Sequence, residues 1–153
     1  MTLNIRLLTA NDIALMDDLL RTLGEAFEEL DTYTSKRPSD DYLRQLLSRD
    51  YFIALVAMKG GFVVGGIAAY ELIKFEQERS EIYIYDLAVA SGHRREGIAT
   101  ALIQSLQQIA AQRGAWVIFV QADTGIEDEP AIALYRKLGS PEKVLHFDIA
   151  VNA

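Results

Sequence analysis

Cysteine is absent from the 153 residues, which excludes a disulfide framework, a thiolate metal site and a cysteine nucleophile. Imidazole is scarce. His93 and His146 are the two histidines, too few for a structural zinc site, so no metal is expected. Positive charge is in deficit, with 15 Lys and Arg against 22 Asp and Glu and a net charge of −7. That balance disfavours nucleic acid, whose phosphates need a basic footprint, and favours a cationic ligand. Long apolar runs are missing, and the start, M-T-L-N-I-R-L-L-T, lacks a basic region leading into an apolar run and a cleavage site. The expectation is a soluble, cytoplasmic protein of bacterial type with no membrane partner.

What is present is the composition of a folded chain, 50% hydrophobic and 24% charged, and one domain over residues 1–153 is expected. Asn4–Leu8 reads as a short strand. Thr9 with Asp12 resembles a capping box, and Leu15, Leu19, Leu20, Leu23 and Phe27 recur at helical spacing, predicting a helix from Ala10 to about Ala26. Glu28–Pro38 reads as a loop and Asp40–Ser48 as a second helix. Tyr51–Met58 and Phe62–Ile73 form a hairpin around Lys59-Gly60-Gly61, and Gly65-Gly66 implies a bulge or a close backbone approach. In Glu81–Val89, Ile82 and Ile84 alternate with Glu81, Tyr83 and Tyr85, so one face is apolar and the other carries a carboxylate and two phenols.

Ile98–Arg113 is a helix stopped by Gly114. Trp116–Ala122 is apolar enough for a strand buried on both faces, with Trp116 in the core. Asp123–Glu129 is an acidic loop, Glu129-Pro130 opens a helix ending at Gly139, and Val144–Val151 alternates as a last strand with His146 half-buried on it. The order is β-α-α-β-β-β-α-β-α-β, an α/β mixed sheet with helices on both faces.

The stretch Asp86–Ala99 (D-L-A-V-A-S-G-H-R-R-E-G-I-A) is a strand end, a basic glycine-containing turn and a helix start. The helix has no side-chain anion ligand in its first turn, so bare N–H groups and the helix dipole offer an anion site. Gly97 and Ala99 keep side chains away, and Arg94 and Arg95 add planar donors suited to phosphate. The alternative is a basic turn with no ligand. A dinucleotide-binding fold is disfavoured, because the turn follows the fourth strand and lacks G-x-G-x-x-G spacing.

Arg94-Arg95-Glu96-Gly97-Ile98-Ala99 resembles the Arg/Gln-x-x-Gly-x-Gly/Ala signature of the GNAT superfamily of acyl-CoA-dependent N-acetyltransferases. Leu87-Ala88-Val89 and Ala133–Gly139 (A-L-Y-R-K-L-G) resemble its other landmarks. Glu81–Val89, His93–Ile103, Val120–Asp123 and His146–Ile149, with Lys74–Gln77 and Arg79-Ser80, look like the aminoglycoside 3-N-acetyltransferases of the gentamicin-resistance type. The resemblance implies the GNAT acyl-CoA N-acyltransferase fold. It implies acetyl transfer from acetyl-CoA to the 3-amino group of the 2-deoxystreptamine ring, and hence antibiotic resistance.

By that resemblance, Arg94, Arg95, Glu96, Gly97, Ile98, Ala99 and Thr100 receive the CoA pyrophosphate. The backbone of Leu87, Ala88 and Val89 would splay to pair with pantetheine, and the Leu87 N–H would polarise the acetyl carbonyl. Tyr135 is the candidate acid for the leaving thiolate. Asp123 and Asp86, with Glu81 behind them, are the candidate carboxylates for the substrate amine. Asp31, Tyr33, Tyr83, Tyr85, Glu127, Asp128 and Asp148 are candidates for holding a cationic aminoglycoside. The C-terminus has room for one strand where many members of the superfamily have a hairpin, so a second subunit, and thus a homodimer, is a possible completion of the cleft. The other readings are an acetyltransferase for a different polyamine or small amine, and a non-catalytic acyl-CoA-binding module.

Overall fold

In this computed structural model the described residues are 2–125 and 128–152, so Glu127 lies outside them. The chain forms two units, residues 1–121 and 122–153. The first contains β1 (Leu3–Leu7), α1 (Ile13–Ala26), a π-helical turn (Asp31–Ser35), α2 (Asp40–Leu47), β2 (Phe52–Lys59), β3 (Phe62–Ile73), β4 (Ser80–Val89), a short 3-10 turn (Ser91–His93), α3 (Ile98–Arg113) and β5 (Ala115–Val120). The sheet runs β1-β2-β3-β4-β5, antiparallel up to β4 and parallel between β4 and β5, with α3 as the crossover.

Helix α1 begins at Ile13, three residues later than its apolar spacing predicts. The capping box forms only in part. Asp12 Oδ2 accepts the Thr9 N–H at 2.8 Å, but Thr9 Oγ1 donates to Asp12 at 3.1 Å instead of capping. Asp12, almost fully buried, also takes the Arg6 guanidinium at 2.6 Å. The residues between Thr9 and Asp12 are thereby closed into a turn outside the helix.

The core lies on both faces of the sheet. On one, Met16, Leu19 and Leu23 of α1 and Leu43 and Leu47 of α2 pack on Phe52, Ala54, Val56 and Ala88. On the other, Ile98, Leu102, Ile103, Leu106 and Ala110 are the buried side of α3. Each fully buried Leu or Ile contributes about 1.5–3 kcal/mol. Two adjacent glycines on β3 admit the two helix layers. A Cβ on Gly66 would stand 2.3 Å from Leu19 Cδ1 and 2.6 Å from the Leu55 carbonyl oxygen. One on Gly65 would stand 2.9 Å from the Ala88 oxygen and 3.3 Å from Ile98 Cγ2. The expected bulge is beside them, because Ala57 pairs with Gly65 but Met58 pairs with Val63, leaving Val64 as the extra residue.

Trp116 is not in the core. Ser80 pairs with Ala115 and Glu81 with Val117, so Trp116 is the extra residue of a second irregularity. The residue is 59% exposed, with the Arg79 guanidinium 3.7 Å from the ring centroid. Strand β5, at the edge of the sheet, is not buried on both faces, its residues ranging from part-buried to exposed.

In the second unit α4 (Glu129–Leu138) starts with Pro130 in its first turn and ends at Gly139, as expected. The strand expected at Val144–Val151 is not formed, and residues 140–152 carry no regular secondary structure. Alternation supplies a two-faced strand only where a neighbour supplies a ladder. Within this unit the described partner element is a helix, and Leu145, Phe147 and Ile149 stand exposed. His146, expected to be half-buried, is likewise exposed and pairs with Asp148 at 2.9 Å.

Candidate active site

The site is built around an irregularity in β4. Ala68 pairs with Asp86 but Ala69 pairs with Ile84, so Tyr85 is one residue too many for its neighbour. A bulge of this kind sets two consecutive side chains on one face. Tyr85 lies edge-on to Tyr70, with ring centres 5.9 Å apart. Asp86 receives a hydrogen bond from Tyr33 at 3.0 Å. Tyr70 and Tyr33 both pack against the α1–α2 side of the core, so Tyr85 and Asp86 share that face.

The far edge of the same strand is open. The β4–β5 ladder ends at Ile84–Val120, while β4 continues to Val89. The Ala90 N–H donates to the Val64 oxygen at 2.8 Å, so alternate residues of this stretch turn their amides toward β3. The amides of Leu87 and Val89 therefore point the other way, to the edge that no strand of the first unit occupies. The backbone groups of Leu87 and Val89, where a splay is expected, thus lie beyond the end of the β4–β5 ladder. Ala88 itself turns its amide to β3 and its side chain into the core.

Beyond that edge comes the basic turn. Arg94 is extended, Arg95 holds a left-handed φ of 63° and Gly97 one of 79°. A left-handed arginine stores strain of about 1 kcal/mol or more, of the kind that clusters at ligand-binding turns. Gly97 is the N-cap of α3 without a side-chain cap, and there is no acid in the first turn, so the amides of Ile98, Ala99 and Thr100 are left for a ligand. A Cβ on Gly97 meets nothing within 4 Å. Within the protein, glycine is required there for its backbone angle, and the space beside it is open. Glu96, the single acid of the turn, is turned onto the Lys59 ammonium and lies 3.4 Å from His93 Nδ1. The Lys59 contact, with His93 adding to it, holds the Glu96 carboxyl below the usual range. Lys59 was not among the sequence candidates. It is separated from Glu96 by 37 positions, and no local pattern connects them.

On the α1–α2 face, burial raises the Asp86 carboxyl above the usual range. The Tyr33 hydrogen bond opposes that rise and the nearby Glu29 adds to it. Burial and then the Asp86 charge push the Tyr33 phenol upward. Next to this pair runs a row of aromatic rings across four strands. Phe52 and Tyr70 are 5.2 Å apart, and Tyr83 and Tyr85 lie edge-on at 5.9 Å. Tyr83 stacks on Phe119 at 4.8 Å and 6°. The Tyr83 hydroxyl donates to Gln121 Oε1 at 3.1 Å. Tyr83 and Tyr85 were candidates from the sequence. Phe52, Tyr70, Phe119, Gln121 and Glu29 were not, because their alignment follows from strand register and loop closure.

The other candidates fall elsewhere. Glu81 sits at the opposite end of β4, 3.5 Å from Lys74, and is not brought to Asp86. Five residues of strand correspond to roughly 15 Å. Asp31 opens the π-helical turn, exposed, with its carbonyl accepting from Ser35 at 2.6 Å. In the second unit, Asp128 precedes α4 and its carboxylate accepts the Asp123 N–H at 3.0 Å, so these two acids shape their own loop. Asp148 is exposed on His146. Tyr135 is on α4, its phenol raised by burial and then by the Asp128 charge.

A mixed five-stranded sheet with a freed fourth strand and an amide-lined turn at the head of α3 defines a class. The sequence pattern of the acetyltransferase (GNAT) family matches residues 15–140, and the chain belongs to that family. GNAT acetyltransferases use acetyl-CoA, and the freed amides and basic turn fit such a donor. Among solved structures, the chain is similar to the aminoglycoside acetyltransferase HMB0005 from an uncultured soil metagenomic sample. The two are 66% identical over 99% of this chain and 100% of that one, with a TM-score of 0.98. The aminoglycoside acetyltransferase meta-AAC0020, also from soil and in complex with sisomicin, is 32% identical over 98% and 97% with a TM-score of 0.89. The uncharacterized N-acetyltransferase MJ1207 of Methanocaldococcus jannaschii is 31% identical over 93% of this chain, which spans 62% of that protein.

Proposed function

We propose that the chain acetylates aminoglycosides with acetyl-CoA, at the 3-amino group of the 2-deoxystreptamine ring, and so confers resistance to antibiotics of the gentamicin type. The observation that carries this reading is the double use of β4. Asp86 faces the α1–α2 side, and the Leu87 and Val89 amides face the open edge of the same strand. Similarity over the whole chain to two soil aminoglycoside acetyltransferases, one of them holding sisomicin, supports the acceptor class.

In the proposed mechanism the turn from Arg94 to Thr100 binds the donor pyrophosphate, and the Leu87 and Val89 amides pair with pantetheine. An amine of the acceptor attacks the thioester carbonyl carbon, whose oxygen takes the Leu87 N–H as its charge develops. The C–N bond forms, the C–S bond breaks, and the ammonium proton passes to a carboxylate. Asp86 is the first candidate, since burial makes it more basic than an exposed carboxylate. Asp123 of the second unit remains the other. Tyr135 is the proposed acid for the departing thiolate, and its raised phenol keeps the proton available at neutral pH. The ammonium groups of the acceptor meet Asp86 and Glu29, and its ring faces lie on Tyr83 and Tyr85.

The test is thiol release from acetyl-CoA with gentamicin, sisomicin, spermidine or no amine, followed by NMR assignment of the acetylated nitrogen. Release with the two aminoglycosides and a product acetylated at N-3 is expected. Release with spermidine alone would move the acceptor to another polyamine, and no amine-dependent release would leave an acyl-CoA-binding module.

A further inference from the structure

Glycine within a helix is unfavourable relative to alanine, yet Gly24 lies in the last turn of α1 and is buried. Its neighbours explain it. A Cβ there would stand 3.0 Å from Tyr33 Cβ, 3.1 Å from Leu30 Cα and 3.4 Å from Leu30 Cδ1. The chain leaves α1 through Glu28, at a left-handed φ of 56°, and folds back over the helix end. The Gly24 oxygen accepts the Glu29 N–H at 2.8 Å, and the Tyr33 N–H reaches the Glu29 oxygen at 3.2 Å. Phe27 and Tyr33 pack with ring centres 6.1 Å apart. The segment then runs into the π-helical turn Asp31–Ser35, a geometry that recurs at functional sites. Its product is one contact, the Tyr33 hydroxyl on Asp86.

We propose that Tyr33 is a positioning residue for Asp86, and that the missing side chain at Gly24 lets the 28–35 turn close far enough for the Tyr33 hydroxyl to reach that carboxylate. This rests on the reading of Asp86 as the carboxylate that serves the substrate amine. Through this contact α1, the turn and β4 act as one assembly. The hydroxyl fixes one Asp86 oxygen, leaves the other for the substrate, and stabilises the ionised form that accepts a proton. The groups facing Asp86 are Tyr33 and Glu29 from the turn, Tyr70 from β3, and Tyr83 and Tyr85 from its own strand. Of these, Glu29 opposes ionisation of Asp86, and Tyr33 promotes it.

The experiment compares wild type with Tyr33→Phe, Gly24→Ala and the double variant. It reads the pH dependence of kcat/KM for the aminoglycoside, the carbon-13 titration of the Asp86 carboxyl, and Tm. Loss of the hydroxyl should raise the Asp86 titration by about one pH unit, moving the acid limb of kcat/KM up with it. Gly24→Ala should shift both in the same direction, and adding Tyr33→Phe to it should move neither further. Unshifted titrations in a folded Tyr33→Phe protein, or additive shifts in the double variant, would overturn the proposal. An unfolded Gly24→Ala protein would overturn its glycine half. If wild type releases no thiol with any amine, the acetyltransferase reading fails, while the carbon-13 titration still decides whether Tyr33 acts on Asp86.

Discussion

Helix α3 carries a matched pair of glycines that separates the stability of a turn from its use. Gly97 precedes the helix at a φ of 79° and Gly114 follows it at 71°. Neither position offers an obstacle to a Cβ within 4 Å. Alanine at either site therefore meets a conformational penalty and no clash. A left-handed L-residue costs about 1–2 kcal/mol, partly offset by about 0.4–1 kcal/mol from the stiffer unfolded chain. The net loss is about 1 kcal/mol, or roughly 2–4 °C in Tm for a chain of this size. Both variants should show it equally. They should differ at the donor. A 16-residue helix puts the two sites about 24 Å apart. Relaxation of Gly97→Ala away from its left-handed angle rotates the amides at the head of the helix out of convergence.

Losing one or two hydrogen bonds to a charged ligand, each about 1.5 kcal/mol or more, raises KM for acetyl-CoA by tenfold or more. The assay is thiol release against acetyl-CoA concentration at saturating aminoglycoside, beside a thermal melt. Gly114→Ala should keep the wild-type KM. If Gly97→Ala loses the expected stability but keeps KM for acetyl-CoA within twofold, the turn is not the donor site and the reasoning fails.

Burial raises the Asp86 carboxyl, so its ionised form costs stability above the usual carboxylate range. Asp86→Asn should therefore raise Tm near about pH 8, with the gain disappearing toward about pH 4 as the wild-type group takes up its proton, while kcat/KM falls by about a hundredfold or more. Tyr135→Phe should lower kcat by roughly tenfold to a hundredfold, since a thiolate is a good leaving group, and a phenol raised by burial gives wild type no falling limb from this residue below about pH 10. KM for the aminoglycoside should rise with salt, as screening weakens carboxylate contacts, and a salt-independent KM would remove the acidic cleft from the mechanism. Gly66→Ala should cost about 3 kcal/mol or more and yield little soluble protein, because its Cβ would press on the Leu55 carbonyl as well as on Leu19.

Features written in adjacent residues were legible in the sequence. The helix starting at Ile98, its glycine stop, the Gly65-Gly66 approach and the basic turn all follow from local spacing, and the structure has them. What failed was local pattern taken without its partner. Val144–Val151 alternates well but has no ladder, and Trp116 is displaced by a one-residue mismatch with β4 that only pairing creates. The contacts that make the site were the least legible. Tyr33 and Asp86 are 53 positions apart, and nothing in either neighbourhood names the other. The aromatic row is likewise a property of register, since Phe52, Tyr70, Tyr83 and Phe119 are successive partners across the sheet.

The extra residue in β4 also explains how one strand can present both candidate sites of the proposed reaction. In an unbroken strand, side chains alternate, so Asp86 would face α3 if Tyr85 faced α1. The bulge resets that parity between them. Asp86 then shares the face of Tyr85 and, from there on, alternation resumes, with Ala88 in the α1–α2 core and the amides of Leu87 and Val89 toward the open edge. The two sides also differ in charge. The open edge leads into Arg94, Arg95 and the uncapped head of α3, a local cationic site in a chain of net charge −7. The α1–α2 face gathers Asp86 and Glu29. On the proposed reading, a polyanionic donor and a polycationic acceptor approach different sides of one strand, and the reacting atoms meet beside the backbone of Asp86 and Leu87.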